Sequence, residues 1–318
     1  MSYSTKEKFV AKLQKIPFSI PFLITTICIY GFIILYSAAG GAIEPWAYRQ
    51  IIIFSIFMPL ALIISMVDTR FIHKCSYFIY FFVLLFLIAV AIIGKTAMGA
   101  TRWIDLGVFH IQPSEPSKIA IVLMLARYFH NTSEENISSI YNLIPPIIGV
   151  LVPAFLIIKQ PDLGTGIITL IVATIIFFAA GVKKLYFVIA GIGSLTLLPI
   201  LWSLLHNYQK NRVLIFLNPD REPLGAGYNI IQSKIAIGSG GFWGKGLLNG
   251  TQSHLNFLPE YTTDFIFSFL TEELGFVGGL ILIILYFMLI LSSLAIAINT
   301  KPIFTKLMVI GLTSIFFS

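Results

Sequence analysis

Long uninterrupted apolar stretches, separated by short polar and charged connections, dominate the chain. About 20 helical residues at 1.5 Å each cross the roughly 30 Å hydrocarbon layer of a bilayer. Uncharged apolar runs of about that length lie at 20–39, 50–67, 75–93, 142–158, 163–182, 185–205 and 274–298. Pro145, Pro146, Pro153 and Pro199 imply kinks in two of them. An eighth span around 119–126 is short. It must extend through Pro116 and Lys118 at one end and Arg127 at the other, so it is expected to lie partly against protein. A last run, 307–318, is too short to cross. The pattern therefore predicts an all-α fold: a polytopic transmembrane helix bundle of eight spans plus an incomplete ninth, one membrane domain over 1–318.

Composition agrees: 57% of residues are hydrophobic, 11% are charged, and the mean hydropathy is +0.91. A soluble enzyme and a disordered chain are excluded. A disulfide scaffold is excluded too, since Cys28 and Cys75 are the only cysteines. With Lys6, Lys8, Lys12 and Lys15 placed in the cytoplasm, alternate connections carry Arg70, Lys74, Arg127, Lys183, Lys184, Lys301 and Lys306. Those eleven basic residues face four acidic ones, Glu7, Asp68, Glu134 and Glu135, which accounts for the whole formal charge of +7. The charge thus reads as a positive-inside signal, and no nucleic-acid footprint remains. The first span is too long for a typical signal peptide despite the faint cleavage-like Ser37-Ala38-Ala39, so it reads as an uncleaved helix.

The connections are unequal. Two long ones, 94–118 and 206–273, fall on the extracytoplasmic side and are rich in polar, Gly and Pro residues, which makes them the expected working surface. No span as drawn carries a charge in its interior, which disfavours an ion-coupled pump. What remains is polar chemistry held at the outer rim of a lipid-facing scaffold.

Candidate chemistry concentrates in those connections. In 258–267, Thr263 is a good helix N-cap, which would place Asp264 in the first turn, on one face with Ser268, Thr271 and Glu272. Two readings of Asp264 stay open: a general base, or a capping charge favoured by the helix dipole. The acidic pair Glu272 and Glu273 reads as ordinary surface charge. Arg102 and Trp103 are either an interfacial anchor with a snorkelling cation or a sugar-stacking pair. Glu115 and Lys118 are spaced for a local ion pair, or for a costly buried pair if they point into the bundle, and Asp162 for a helix cap. The glycines of 238–246 miss the Walker spacing, because positions 239 and 246 are Ser239 and Gly246. They read as a flexible loop, or as amides offered to a pyrophosphate. Arg212, Arg221, Lys234 and Lys245 add positive charge suited to a phosphorylated lipid. The five histidines are scattered, and neither a zinc motif nor a GxSxG elbow is present. A divalent cation beside a pyrophosphate is chemically reasonable, although no dedicated ligand cluster is visible.

These residues also carry a resemblance. Residues 223–234 (PLGAGYNIIQSK), Thr251-Gln252-Ser253, the 257–260 run ending in Glu260, 263–267, Arg102-Trp103, 112–115 and Gln160-Pro161-Asp162 together resemble the SEDS (shape, elongation, division and sporulation) family. They are closer to its elongation branch than to its division branch. The resemblance implies a peptidoglycan glycosyltransferase in the bacterial plasma membrane, with its N-terminus in the cytoplasm. It would polymerise lipid II on the outer face, release undecaprenyl pyrophosphate, and work with a class B penicillin-binding transpeptidase. It implies that Asp264 is the catalytic residue and that Trp103 is required. The expected substrate-binding set is Arg102, Trp103, Glu115, Lys118, Asp162, Arg212, Lys234 and Glu260. The family has ten spans, so the chain is expected to lack the last part of that fold. A lipid-linked precursor flippase and a non-catalytic scaffold of a wall-synthesis complex are the alternatives.

Overall fold

The computed structural model describes residues 17–317 apart from 94, 98–99, 106–109, 206, 224, 226 and 252–260; for 91, 93, 95–97, 100–105, 110–111, 201, 204 and 208 it describes the backbone alone. The apolar runs all become helices: α1 (Ser19–Ala38), α2 (Trp46–Ser65), α3 (Thr69–Ile93), α4 (Ser114–His130), α5 (Ile140–Lys159), α6 (Leu163–Ala179), α7 (Lys184–Leu204), α10 (Ile266–Asn299) and α11 (Ile303–Phe317). Two shorter helices, α8 (Asn207–Leu217) and α9 (Tyr228–Gly240), occupy the second long connection. The first long connection holds a small antiparallel sheet of β1 (Lys95–Ala97), β2 (Ala100–Asp105) and β3 (His110–Ile111). α1, α2, Thr69–Val90 of α3, α5 and α10 are long and apolar enough to cross a membrane.

The chain forms two compact units, Met1–Met66 with Ile192–Leu289, and Val67–Gly191 with Ile290–Ser318. In the second unit α4 packs against α3, α5, α6 and α11. Its buried residues run almost without a break from Ala120 to Ala126, as expected for a short span surrounded by protein. Phe304 and Leu307 of α11 close the same core, and Gly311 lets that helix approach Val122 and Ile176. In the first unit a smaller core gathers Ile34 and Ala38 of α1 with Phe269 and Leu270 of α10.

The prolines of α5 show how such helices stay satisfied in lipid. A proline has no N–H for the carbonyl four residues earlier, and an unpaired carbonyl in hydrocarbon is costly. Pro153 frees the Gly149 carbonyl, which accepts a hydrogen bond from Tyr80 Oη at 2.8 Å. Pro146 frees the Asn142 carbonyl, which accepts from Tyr128 Oη at 2.7 Å. Tyr80→Phe and Tyr128→Phe are therefore each expected to cost about 1–3 kcal/mol. Thermal unfolding in detergent checks this, with Tyr141→Phe, at an exposed ring, as the neutral control.

Candidate functional site

Each unit holds a polar cluster. In the second unit, Asp162 caps α6 by accepting from Thr165 N at 3.3 Å, and its other oxygen accepts from Gln112 Nε2 at 3.2 Å. The approach to α4 is thereby tied to the corner between α5 and α6. Gln160 in the same corner is buried and donates to the Leu87 carbonyl at 2.9 Å. Lys118 and Glu115 form the expected ion pair at 3.0 Å. Its two ends differ: the Lys118 side chain is 10% exposed and that of Glu115 58%. Arg102 and Trp103 lie on β2, where Trp103 is in register with Lys95 of β1. Their side chains lie outside the described residues, as does Glu260 altogether.

In the first unit the geometry departs from expectation. α10 begins at Ile266, so Thr263 is not its cap and Asp264 is not in its first turn. Asp264 sits in the turn before the helix and is exposed. The start is set two residues later, where Ser268 N and Phe269 N both donate to the Phe265 carbonyl. Its neighbours Thr262 and Thr263 line a cavity of about 390 Å³ that is otherwise mostly apolar, bounded by Tyr30 and Ile34 of α1, Gln50 of α2, and Phe267 and Tyr286 of α10. Asp264 itself does not line it. Just before this turn, Tyr261 packs against Trp46 and Phe269, and its hydroxyl donates to the Ala38 carbonyl at 3.5 Å. Burial pushes that phenol above its ordinary range, so it stays a neutral donor. Arg212 on α8 and Lys234 on α9 are both exposed.

The largest correction concerns Glu272 and Glu273. Expected as surface charge, both are 0% exposed, and they lie within α10. Spans drawn without interior charge are thus revised at these two positions and at Lys118 of α4. The cause is the glycine-rich segment that follows α9. At Gly275 (φ 68°, ψ −167°) the helix is broken, so Phe276 N and Val277 N cannot reach the carbonyls of Glu272 and Glu273. The segment replaces both missing bonds from each side. Gly241 O and Phe242 O accept from Phe276 N and Val277 N at 2.9 and 3.2 Å. Lys245 N and Gly246 N donate to the carbonyls of Glu272 and Glu273 at 3.1 and 2.9 Å. The 238–246 glycines are therefore neither a loose loop nor a phosphate cradle: two of the amides that a pyrophosphate would use are spent on the helix break. The side chains follow the backbone. Lys245 Nζ donates to Glu272 Oε1 at 2.6 Å and to Thr251 Oγ1 at 2.7 Å. Ser37 Oγ donates to Glu273 Oε1 at 2.7 Å. The one sequence signal for this cluster was an acidic pair at the head of a long apolar run. Among the described residues no three His, Cys, Asp or Glu side chains gather to hold a metal.

Known proteins share the sequence and the fold of this chain. The family model described as "Cell cycle protein", which covers FtsW, RodA and SpoVE, matches residues 18–318. The chain is 39% identical over 296 residues to the peptidoglycan glycosyltransferase MrdB of Escherichia coli K12, covering 93% of this chain and 79% of that protein. It is 37% identical over 235 residues to the stage V sporulation protein E of Bacillus subtilis, covering 73% of this chain and 63% of that one. Among solved structures, a chain of a peptidoglycan synthase complex superposes with a TM-score of 0.79 at 30% identity, over 94% of this chain and 83% of its own. The rod shape determining protein RodA of Thermus thermophilus superposes with a TM-score of 0.66 at 25% identity, over 92% and 79%. The chain is a multi-pass membrane protein that belongs to the FtsW/RodA/SpoVE family.

Proposed function

We propose that the chain is a peptidoglycan glycosyltransferase that polymerises lipid II on the outer face of the plasma membrane. The 39% identity to a named peptidoglycan glycosyltransferase, over 93% of this chain, carries the reading. The site supports it with an exposed carboxylate beside two threonines that line a largely apolar cavity. In this reading Asp264 removes the proton from the 4-hydroxyl of the acceptor GlcNAc as that oxygen attacks C1 of the donor MurNAc. The bond from C1 to the pyrophosphate oxygen breaks, the anomeric centre inverts, and undecaprenyl pyrophosphate leaves with the bonding electrons. Exposed Arg212 and Lys234 supply positive charge for that leaving group. Arg102, Trp103, Glu115, Lys118, Asp162 and Glu260 hold the sugars and the peptide-bearing headgroup. The N-terminus is cytoplasmic, and a class B penicillin-binding transpeptidase cross-links the product.

The deciding experiment reconstitutes the protein, with and without such a transpeptidase, in vesicles whose lipid II is already accessible to it. Long glycan strands are the expected product. Lipid II left as monomer, with its distribution across the bilayer equalised, would replace this reading by a flippase. Neither change would leave a scaffold.

A further inference from the structure

We propose that the end of the second unit where α3 begins, α4 ends and α11 begins is a binding site for the phosphodiester headgroup of an anionic phospholipid. The site is independent of the reading of Asp264, and it lies at the other end of α4 from Glu115 and Lys118. Ring contacts hold the three helix ends together. The imidazole of His73 on α3 meets that of His130 on α4 at 5.1 Å and the ring of Phe304 on α11 at 4.9 Å, and His130 and Phe304 are 6.5 Å apart. This packing brings Arg70 and Lys74 of α3, Arg127 of α4, and Lys301 and Lys306 on either side of the start of α11 to one end of the unit. The carboxylates at these ends are Asp68, Glu134 and Glu135. Asp68 accepts from Arg70 N at 2.9 Å as α3 begins. Among the described residues none of the five cations is paired with a carboxylate.

Arg127 is the fixed point of the cluster. Its guanidinium lies 4.3 Å over the ring of Tyr77, and Nη1 donates to the Lys74 carbonyl at 2.8 Å. Its Nε is buried with no hydrogen-bond partner. A half-buried cation is thus held beside Lys74 without an anion from the chain, and an anion supplied from outside offsets that cost. The N-termini of α3 and α11, both at this end, favour negative charge as well. The surface beside Lys74 distinguishes a lipid from a free phosphate. Phe71, Phe78, Phe82 and Leu85 fall on the face of α3 that carries Lys74, and all four are exposed. The rings of Phe78 and Phe82 stack at 6.3 Å, so the apolar stripe leads away from the cations along the span. A phosphate held by Lys74 and Arg127 sits at the head of a stripe that an acyl chain can cover, as where basic pockets between helix ends take anionic headgroups.

The test titrates the full chain in detergent with phosphatidylglycerol and follows binding by native mass spectrometry. Phosphatidylglycerol is expected to bind at least about tenfold more tightly than phosphatidylcholine with the same acyl chains. Lys74→Gln and Arg127→Gln are each expected to weaken phosphatidylglycerol about 10- to 100-fold, the loss of one hydrogen bond between charged groups. Lys74 is exposed, so its substitution spares the packing of the helix ends. Lys184→Gln, an equal loss of charge at the start of α7, is expected to change the affinity by less than about twofold. Glycerol phosphate, the headgroup without its chains, should not displace the lipid. The proposal is overturned if phosphatidylcholine binds equally well, if Lys74→Gln keeps the wild-type affinity, or if Lys184→Gln loses as much as Lys74→Gln. Displacement by glycerol phosphate at a comparable concentration would make this a site for a soluble phosphate, and displacement by an acidic peptide a docking site for a protein; either result ends the lipid assignment.

Discussion

Replacing Asp264 by asparagine is expected to lower glycan formation from lipid II by about 10²- to 10⁴-fold, the usual contribution of a general base. The substitution preserves size and removes only the ability to accept a proton. Asp264 is exposed and sits in a turn outside α10, with no part in the buried core, so insertion and unfolding temperature should not change. Binding of lipid II should also survive, because the acceptor hydroxyl can still donate to the asparagine carbonyl. The expected signature is a fall in kcat with little change in KM, which places the lost interaction in the transition state. The measurement is strand length and initial rate with labelled lipid II, normalised to folded protein. Near-wild-type strands would remove Asp264 from the chemistry.

The second large effect concerns folding. Gly275→Ala and Gly244→Ala are each expected to remove most of the folded protein from the membrane. Both glycines have positive φ, 68° and 82°, a conformation that costs other residues about 1–3 kcal/mol where it is strained. Space is the harsher limit. A Cβ on Gly275 would run into the backbone nitrogen of Gly244, and one on Gly244 into the Glu273 carbonyl. Relief requires the segment to withdraw from the helix break. Up to four backbone hydrogen bonds are then lost, and each group left buried without a partner costs about 1–3 kcal/mol. The sum rivals a typical folding free energy of about 5–15 kcal/mol. Gly193→Ala is the control, since no atom lies within 4 Å of the added Cβ. Size-exclusion profiles of detergent-extracted variants provide the measurement: a monodisperse Gly275→Ala protein at wild-type yield would show that the break tolerates a side chain.

The spans were legible because the signal is local. The run at 20–39 becomes Ser19–Ala38 and that at 163–182 becomes Leu163–Ala179, each shifted by at most three residues. Twenty apolar residues in a row need no distant partner to be recognised. The 206–273 connection was legible only as a polar loop. Its helices α8 and α9 mix polar and apolar residues without a long apolar run, and the three strands near 95–111 are too short to show an alternating pattern. The position of Asp264 was read from capping rules that placed it inside α10. Packing of Ile266, Phe269 and Leu270 in the core starts the helix after it.

By itself the sequence determined the membrane-crossing architecture and the family, since both follow from residue identity and order along short stretches. Only the tertiary structure decided what Glu272 and Glu273 are. A carboxylate is surface charge or buried anchor according to the groups that meet it, and Ser37 lies 236 residues away from Glu273 and Lys245 27 from Glu272. It also decided that the glycine-rich segment closes a broken helix, because amides free to bind phosphate in one conformation are spent on the Glu272 and Glu273 carbonyls in this one.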